Sequence, residues 1–380
     1  MVKTDTVKGF KDFLGEEARK RVKLKRIIEE QFEKYGFEPA ETPIVEFEKF
    51  VIGENSNDEA VRDVFRLKDR GDRELALRYE FTFQLKRIAK GQKLPYKRYQ
   101  IGYNFRDEPI KRGRLRQFIQ CDCDIIGSSL KEEAELLSTV QTTFEKLNIN
   151  PVIYINNRQL VNEILVSENI EEKYREQVIR EIDKLDKLKK SEIAKNLEKF
   201  NAQKILNIFD GDEKGFEKYK FYEKIKELKT FCKLFNIDVI FKPTLMRGLS
   251  YYNGTVFEVW GKDINVSIGG GGSYLVNDMQ TTGFSFGLEP ISLISKLEGD
   301  PIEYLILSLD QDKEAIKVAN SLRENEKSVQ LMMDKTIKKG LEYANAKNIS
   351  NVIIIGEEEV KSSEYKVKNM KTGKESKVRF

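Results

Sequence analysis

The stretch 247–258 reads Arg-Gly-Leu-Ser-Tyr-Tyr-Asn-Gly-Thr-Val-Phe-Glu and concentrates groups that bind anions. It places Arg247 beside two glycines and two tyrosines, immediately before a run that alternates like a strand. A cation next to closely approaching backbone suits a bound phosphate or carboxylate better than a packed core. A second stretch supplies further anion-binding groups, namely Arg106, Arg112, Arg114 and Arg116. The two stretches together indicate an enzyme that handles a nucleotide.

Composition restricts the chemistry that these residues could carry out. The 380 residues are enough for two or three domains, and they include no histidine. A Ser-His triad, a His-ligated zinc site and an imidazole general base are therefore excluded. Any catalysis must use carboxylates, arginine, lysine, tyrosine or a metal held by oxygen ligands.

Cysteine usage and hydropathy predict the compartment. The three cysteines, Cys121, Cys123 and Cys232, lack CxxC spacing, which argues against a zinc site or a disulfide framework and fits a reducing cytoplasm. The alternation predicts that Cys121 and Cys123 are two small apolar side chains on one face of a strand, with metal binding as the alternative. The polar start and the lack of a long apolar run predict neither a signal peptide nor a membrane span.

Positive charge is concentrated in one part of the chain. Residues 86–116 hold eleven lysines and arginines against two acids, a local charge of +9, although the whole chain carries only +4. A concentrated basic surface is typical of proteins that bind nucleic-acid phosphates. The alternative is a solvated, lysine-rich surface.

The elements around the arginine-rich stretch explain how it could be positioned. Residues 96–104 and 117–126 read as two antiparallel strands joined by the loop that carries the arginines. Period-2 alternation puts Gln120, Asp122 and Asp124 on one strand face. Burying these polar groups without partners would be costly, so we expect them to line a wet or ligand-filled site.

The remaining pattern predicts several kinds of structure. Residues 16–35 read as an amphipathic helix, 73–83 as a strand running into a helix, and 157–236 as Lys/Glu-rich helices that include 172–188 and 214–235. Strand character returns at 238–242, 255–260 and 266–272, and a helix is expected at 290–298. The glycines at 269–272 lack the features of a phosphate loop and are expected to admit a ligand or another backbone. After a boundary near 299–301, strands and helices alternate as in a small α/β domain with a parallel core, and a hairpin ends the chain.

These motifs resemble those of the histidyl-tRNA synthetases, a family of class II aminoacyl-tRNA synthetases. Residues 35–43 are similar to the family's motif 1, residues 105–118 to motif 2, residues 283–291 to motif 3, and residues 247–258 to its histidine-specific signature, with Ser250 where Asp is usual. The resemblance implies an α+β fold, with an antiparallel sheet of six or seven strands flanked by helices. It assigns a catalytic domain to 1–156 and 237–299, a helical insertion to 157–236, and a C-terminal α/β anticodon-binding domain to 300–380.

The resemblance also implies an activity, a set of partners and a role for each matching residue. The enzyme would activate histidine with ATP and Mg²⁺, transfer it to histidine tRNA, and act as a cytoplasmic homodimer. Arg247 and Arg106 would be catalytic, stabilising charge on the α-phosphate, and no side chains are expected to form a metal site of their own. ATP would be bound by Arg106, Glu108, Arg114 and Phe118, and histidine by Glu80, Thr82, Gln120, Asp124, Tyr252 and Tyr274. This chemistry needs no general base, because the attacking carboxylate is already ionised.

Each of these roles has a plainer alternative, and the chain departs from the family pattern at two positions. Arg106 or Arg247 could be a surface ion-pair partner, and Tyr252 or Tyr274 a packed core aromatic. Pro290 stands where motif 3 has an arginine, and Ser273 stands where a second arginine is expected; Lys296 is one basic residue that could compensate.

These departures leave a second hypothesis open. A catalytically impaired paralogue could bind histidine or tRNA without activating histidine, as does the regulatory subunit of ATP phosphoribosyltransferase. Such subunits generally lack the anticodon-binding domain and the signature found here at 247–252. A third hypothesis is a regulatory module that only binds RNA, which would not need Glu80, Gln120 and Arg247.

Overall fold

The computed structural model describes residues 3–53, 59–186, 188–246, 251–262 and 266–378. Contacts divide the chain into two compact units. The first comprises Met1–Phe13 with Arg21–Leu297, and the second comprises Leu14–Lys20 with Glu298–Phe380. Within the described ranges, no helix is both long enough and apolar enough to cross a membrane.

The first unit is built on a large sheet that has eight strands among the described residues. In spatial order they are Glu38–Pro39, Tyr96–Phe105, Gln117–Ile126, Met279–Gly287, Val266–Val276, Tyr252–Gly261, Pro151–Asn157 and Val239–Phe241. The six inner strands pair antiparallel, and the two short outer strands add in parallel. The predicted α+β class, an antiparallel sheet flanked by helices, is confirmed. The two short outer strands explain why eight strands are found where six or seven were expected.

Alternation along the strand Gln117–Ile126 separates an apolar face from a polar one. Cys121, Cys123 and Ile125 are fully buried in the main core, where Phe144 and Leu24 also lie. Phe144 belongs to the helix Leu130–Lys146, and Leu24 to the helix Gly15–Lys34. Burying each large apolar side chain contributes roughly 1.5–3 kcal/mol, so this layer fixes which face is left for the polar residues.

A small sheet and several short helices lie beside the polar face. Among the described residues, its three strands run in the order Val45–Phe47, Glu74–Leu77 and Arg66–Lys68, all antiparallel. The strand-then-helix prediction for 73–83 is confirmed, because Glu74–Leu77 leads through residues 78–81 into the helix Thr82–Ile88. The other short helices here are Glu48–Ile52, Glu59–Arg62 and, after the large sheet, Leu288–Ile294.

The segment 157–236 is helical, as predicted, but the helices expected at 172–188 and 214–235 are shorter: the α-helix that begins at Glu172 ends at Ile182, and the other begins at Tyr222. Its helices are Arg158–Ser167, Glu172–Ile182, Lys190–Glu198, Ile205–Phe209 and Tyr222–Leu234, with 3₁₀ turns at Asp183–Asp186 and Glu213–Phe216. The predicted helix at 214–235 begins only at Tyr222, and just before it Glu163 accepts hydrogen bonds from the backbone N–H groups of Lys220 and Phe221, at 2.9 Å each. A distant side chain thus satisfies two backbone N–H groups of the segment that precedes the helix.

The second unit is a small α/β domain. Its sheet, within the described residues, has the order Val329–Met332, Tyr304–Ser308, Asn351–Ile355, Tyr365–Asn369 and Glu375–Val378. The first three strands are parallel and the last two form the predicted terminal hairpin. The helices Asp312–Glu324, Ile337–Ala346 and Glu357–Ser362 accompany the sheet, and apolar clusters form around Ile306 and Leu305. The predicted parallel core is confirmed.

Candidate active site

The polar face of the strand Gln117–Ile126 lies at the centre of the candidate site. Gln120, Asp122 and Asp124 are all buried, as the alternation predicted for one face of this strand. Register places Asp124 between Arg98 on one neighbouring strand and Gly283 on the other. Asp122 and Asp124, two residues apart on one strand face, are therefore held side by side in the interior of the unit.

Asp124 is surrounded by groups that favour its charged form. The Tyr274 hydroxyl donates a hydrogen bond to Oδ1, and Nη2 of Arg98 lies 2.6 Å from Oδ2. Burial raises the pKa of Asp124, while the Arg98 charge and the Tyr274 hydrogen bond oppose that shift. Gly283 is required here, because a Cβ at that position would overlap Oδ1 of Asp124.

Gln120 and Asp122 form a short hydrogen-bonded chain with Asn104. The Asn104 amide donates to Oε1 of Gln120 at 3.0 Å, and the Gln120 amide donates to both oxygens of Asp122 at 2.9 and 3.0 Å. Burial, together with the Asp124 charge, raises the pKa of Asp122 to about 7, against the opposing charge of Arg98. Asp122 is thus a carboxyl that can exchange a proton near neutral pH.

Glu80 brings a third carboxyl to the same region from the segment between the strand Glu74–Leu77 and the helix Thr82–Ile88. It is buried, and its side chain is hydrogen bonded to Thr82 and Tyr79. Burial raises the pKa of Glu80 to about 7, with the Arg106 charge opposing the shift and the Asp122 charge adding to it. The three carboxyls make this region acidic and favour a cationic ligand.

Three tyrosines form an aromatic wall next to the carboxyls. The rings of Tyr251 and Tyr252 have centroids 4.8 Å apart, those of Tyr251 and Tyr274 5.4 Å, and those of Tyr252 and Tyr274 6.4 Å. Tyr251 is also hydrogen bonded to Thr82. Burial raises the pKa of Tyr251 and Tyr274 well above the usual range, so both remain neutral hydroxyls.

The arginine-rich loop contributes cations to the site. The Arg106 guanidinium lies 5.2 Å from the centroid of the Phe118 ring, and its Nε donates to the Tyr79 carbonyl at 3.0 Å. Arg114 is 63% exposed and lies 3.8 Å from Glu108. Arg106 is therefore fixed in place, whereas Arg114 is held only by a loose exposed ion pair.

These groups surround one cavity of about 870 Å³. Glycines 269–271 also line it. They belong to the run that was expected to admit a ligand or another backbone, and a Cβ at Gly271 would overlap the backbone carbonyl of Gly283. Phe118 does not line the cavity and instead supports Arg106. Arg247 and Ser250 lie outside the described residues. The predicted site residues that the structure brings together here are Glu80, Thr82, Arg106, Glu108, Arg114, Gln120, Asp124, Tyr252 and Tyr274.

Of the two residues that depart from the family pattern, Pro290 lies at the cavity and Ser273 does not. Pro290 lines the cavity, so the arginine expected there would have added a cation to the site. Ser273 is buried and donates a hydrogen bond to Glu133, a residue that does not line the cavity. Lys296 is exposed and does not line it either.

Sequence reasoning assigned no role to Arg98, Asp122 or Tyr251, although all three contact the predicted residues. Asp122 had been placed on the polar face, and Tyr251 is part of the 247–258 signature. Arg98 could have been found by counting the register of the predicted strand pair around its loop, which puts it opposite Asp124.

The basic stretch at 86–116 is less positive than its sequence count suggests. Five of its cations have acidic partners: Arg87 with Glu46, Lys97 with Glu135, Arg98 with Asp124, Arg114 with Glu108, and Arg116 with Asp107. Lys90, Lys93, Lys111 and Arg112 are exposed. These exposed groups remain available for a polyanion.

Comparison with known proteins gives a consistent result. A family model for histidyl-tRNA synthetase matches residues 9–291, and one for an anticodon binding domain matches residues 303–380. Histidine–tRNA ligase 1 of Bacillus anthracis is 37% identical, with 98% of this chain and 97% of that protein covered. The histidyl-tRNA synthetase structure from Nostoc sp. PCC 7120 has a TM-score of 0.89 at 26% identity, covering 100% of this chain and 97% of that one.

A third relative shares the fold at lower identity. It is the structure titled an ATP phosphoribosyltransferase regulatory subunit/histidyl-tRNA synthetase from Bacillus halodurans. Its TM-score is 0.80 at 19% identity, covering 93% of this chain and 99% of that one.

Proposed function

The chain belongs to the histidyl-tRNA synthetase family, a family of aminoacyl-tRNA ligases, and from that premise we propose that it activates histidine with ATP and transfers it to the 3′ end of histidine tRNA. One observation supports this most strongly. A single cavity is lined both by buried carboxyls and tyrosines and by two arginines of the 105–116 loop, Arg106 and Arg114. The first set suits a cationic amino acid, and the second suits a triphosphate.

Histidine would bind at the carboxyls and tyrosines. Glu80 and Thr82 accept hydrogen bonds from its ammonium group, while Gln120 and Asp124 offer acceptors to its imidazole N–H groups. Tyr252 and Tyr274 wall the pocket. An amino acid whose side chain lacks these N–H donors would leave the buried acceptors without hydrogen bonds. The site rejects such a side chain strongly, because the acceptors have also lost their solvation by water.

Adenylate formation would proceed by in-line attack on ATP. A carboxylate oxygen of histidine forms a bond to the α-phosphorus as the bond to the bridging oxygen breaks, and pyrophosphate leaves. No proton moves in this step, so a chain without histidine has every group it needs. Arg106, held by the Tyr79 carbonyl and the Phe118 ring, and Arg247 would stabilise the charge that develops on the α-phosphate oxygens. Arg114 would close on the outer phosphates.

Mg²⁺ would enter this site with ATP. Within the described residues, no group of three acidic or cysteine side chains could hold a metal ion. Mg²⁺ usually relies on one or two carboxylates plus substrate phosphates, and Glu108 on the cavity wall offers one such carboxylate. Bound there, the ion would neutralise part of the phosphate charge.

Transfer to tRNA needs a basic surface and an anticodon reader. The exposed lysines of 86–116 and the match of residues 303–380 to an anticodon binding domain support both parts. Exposed Ile44, Val45 and Phe47, just after the motif 1 segment, support a homodimer interface. The three cysteines are free and buried, which supports action in a reducing cytoplasm.

A regulatory paralogue that binds histidine without activating it is the second candidate. The observation that favours it is Pro290, an uncharged residue on the cavity wall where the family has an arginine. The anticodon-binding match at 303–380 favours the ligase, because anticodon reading serves transfer to tRNA.

The test is aminoacylation with purified protein, ATP, Mg²⁺, total tRNA and labelled histidine. We expect acid-precipitable label that depends on ATP and on the presence of histidine tRNA. Binding of histidine or tRNA with no label transferred would instead support the regulatory paralogue.

A further inference from the structure

Arg98 is a buried cation with no role in the reaction proposed above. Its side chain is 0% exposed, and its Nη2 lies 2.6 Å from Oδ2 of Asp124. The contact is electrostatic, because none of its three guanidinium nitrogens makes a hydrogen bond to a described group. Burying a guanidinium with so few hydrogen bonds is costly, so the charge itself must serve the site.

The charge of Arg98 balances a pair of neighbouring carboxyls. Burial lowers the pKa of Arg98, but the Asp124 and Asp122 charges outweigh burial and raise it above its usual range. In return, Arg98 opposes the upward pKa shifts of both carboxyls. Without Arg98, burial and mutual repulsion would leave the pair holding a proton.

The protonation of Asp124 decides what it can recognise. An ionised carboxylate only accepts hydrogen bonds, whereas a protonated carboxyl also donates one. The Tyr274 hydroxyl already donates to Oδ1 of Asp124. A fully ionised Asp124 therefore presents only acceptors to the cavity, and it favours a ligand whose side chain carries an N–H donor.

We propose that Arg98 is a positioning residue that keeps Asp124 ionised and oriented as the acceptor for the imidazole of histidine. This inference rests on the proposed function. Among the described residues, the titratable or charged groups that face Asp124 are Arg98 and Tyr274 from other strands and Asp122 on its own strand, while Gly283 adds no charge. Arg98 thus determines amino-acid recognition through Asp124 and does not touch the substrate.

The experiment compares Arg98→Met with Arg98→Lys by ATP–pyrophosphate exchange between pH 6 and 9. In R98M the KM for histidine should rise about tenfold for each unit by which the pKa of Asp124 exceeds the assay pH. The KM for ATP should stay near the wild-type value, the defect should fade as pH rises, and R98K should recover most of the affinity. Lys97→Met is the matched control: it removes a partly buried cation with an acidic partner from the same strand, and it should leave the KM for histidine unchanged.

A second variant keeps Arg98 and the fold. Asp122→Asn removes the neighbouring carboxyl, whose own pKa is about 7, so the KM for histidine in D122N should depend less on pH near 7 than in the wild type. An R98M enzyme with a wild-type KM for histidine across this range would overturn the inference. Equal increases in the KM values for histidine and ATP would do the same, as would a D122N enzyme whose KM for histidine depends on pH as in the wild type. If the wild type neither binds nor exchanges histidine, the proposed function fails, and this inference fails with it.

Discussion

Replacing Glu133 with glutamine should remove a large pH dependence of stability. Glu133 is buried on the helix Leu130–Lys146, where Oε1 accepts a hydrogen bond from Ser273 and Oε2 has no partner among the described groups. Burial raises the pKa of Glu133 from 4.5 to about 7, although hydrogen bonds from Ser273 and Thr255 oppose the shift. The folded state therefore holds this proton more tightly than the unfolded chain does.

The sign and size of the effect follow from that shift. Stability from the bound proton is fully present below pH ~4.5 and is lost as pH rises through the folded pKa of about 7. A pKa raised from 4.5 to about 7 corresponds to roughly 3 kcal/mol, most of which is lost between pH 5 and pH 8. Glutamine cannot ionise, so E133Q should not lose this unfolding free energy between pH 5 and pH 8. Its stability relative to the wild type should therefore rise by that amount.

Urea unfolding at pH 5 and pH 8 measures this difference. The single tryptophan, Trp260, lies on a strand of the large sheet and reports on the first unit. Glu145→Gln is the matched control, because Glu145 is an exposed residue on the same helix. If E133Q and the wild type differ in unfolding free energy by the same amount at pH 5 and pH 8, within about 0.5 kcal/mol, then Glu133 does not hold a proton in the folded state.

Three further substitutions test the site. Gly283→Ala should abolish histidine-dependent exchange by displacing Asp124, whereas Gly215→Ala, where a Cβ meets open space, should not; an active G283A would contradict the packing at Asp124. Arg247→Ala should slow adenylate formation about 100- to 1000-fold with an unchanged circular dichroism spectrum, whereas the exposed Arg180→Ala should be neutral; near-normal R247A rates would rule out its assigned role. Pro290→Arg should lower the KM for ATP about tenfold by adding a cation to the cavity wall, whereas the neutral Pro290→Gln should not. Equal KM values for ATP in the two variants would show that charge at position 290 is irrelevant.

Features that depend on local pattern could be predicted from the sequence. Alternation along Gln117–Ile126 correctly separated Asp122 and Asp124 from Cys121 and Cys123, because successive residues of a strand face opposite sides. The helix Leu130–Lys146 and the strand Pro151–Asn157 were not predicted. The capping box of Ser129 and Glu132 was a readable signal for that helix.

Features that depend on distant partners could not be predicted in the same way. Where the predicted 214–235 helix is interrupted, two backbone N–H groups donate to Glu163, which lies more than fifty residues earlier in the chain. The Ser273–Glu133 hydrogen bond joins residues 140 positions apart, and no periodicity links them. Family resemblance indicated that an arginine was missing at 273, but only the three-dimensional arrangement shows that this position faces Glu133 and not the cavity.

Histidine-dependent ATP–pyrophosphate exchange, measured with the purified wild-type protein against each of the twenty amino acids, tests the central claim most directly. We expect exchange with histidine and background rates with the other nineteen, which would also show that Pro290 is compatible with activation. Background exchange with histidine, while histidine or tRNA still binds, would rule out the proposed activity and assign the chain to the regulatory paralogues.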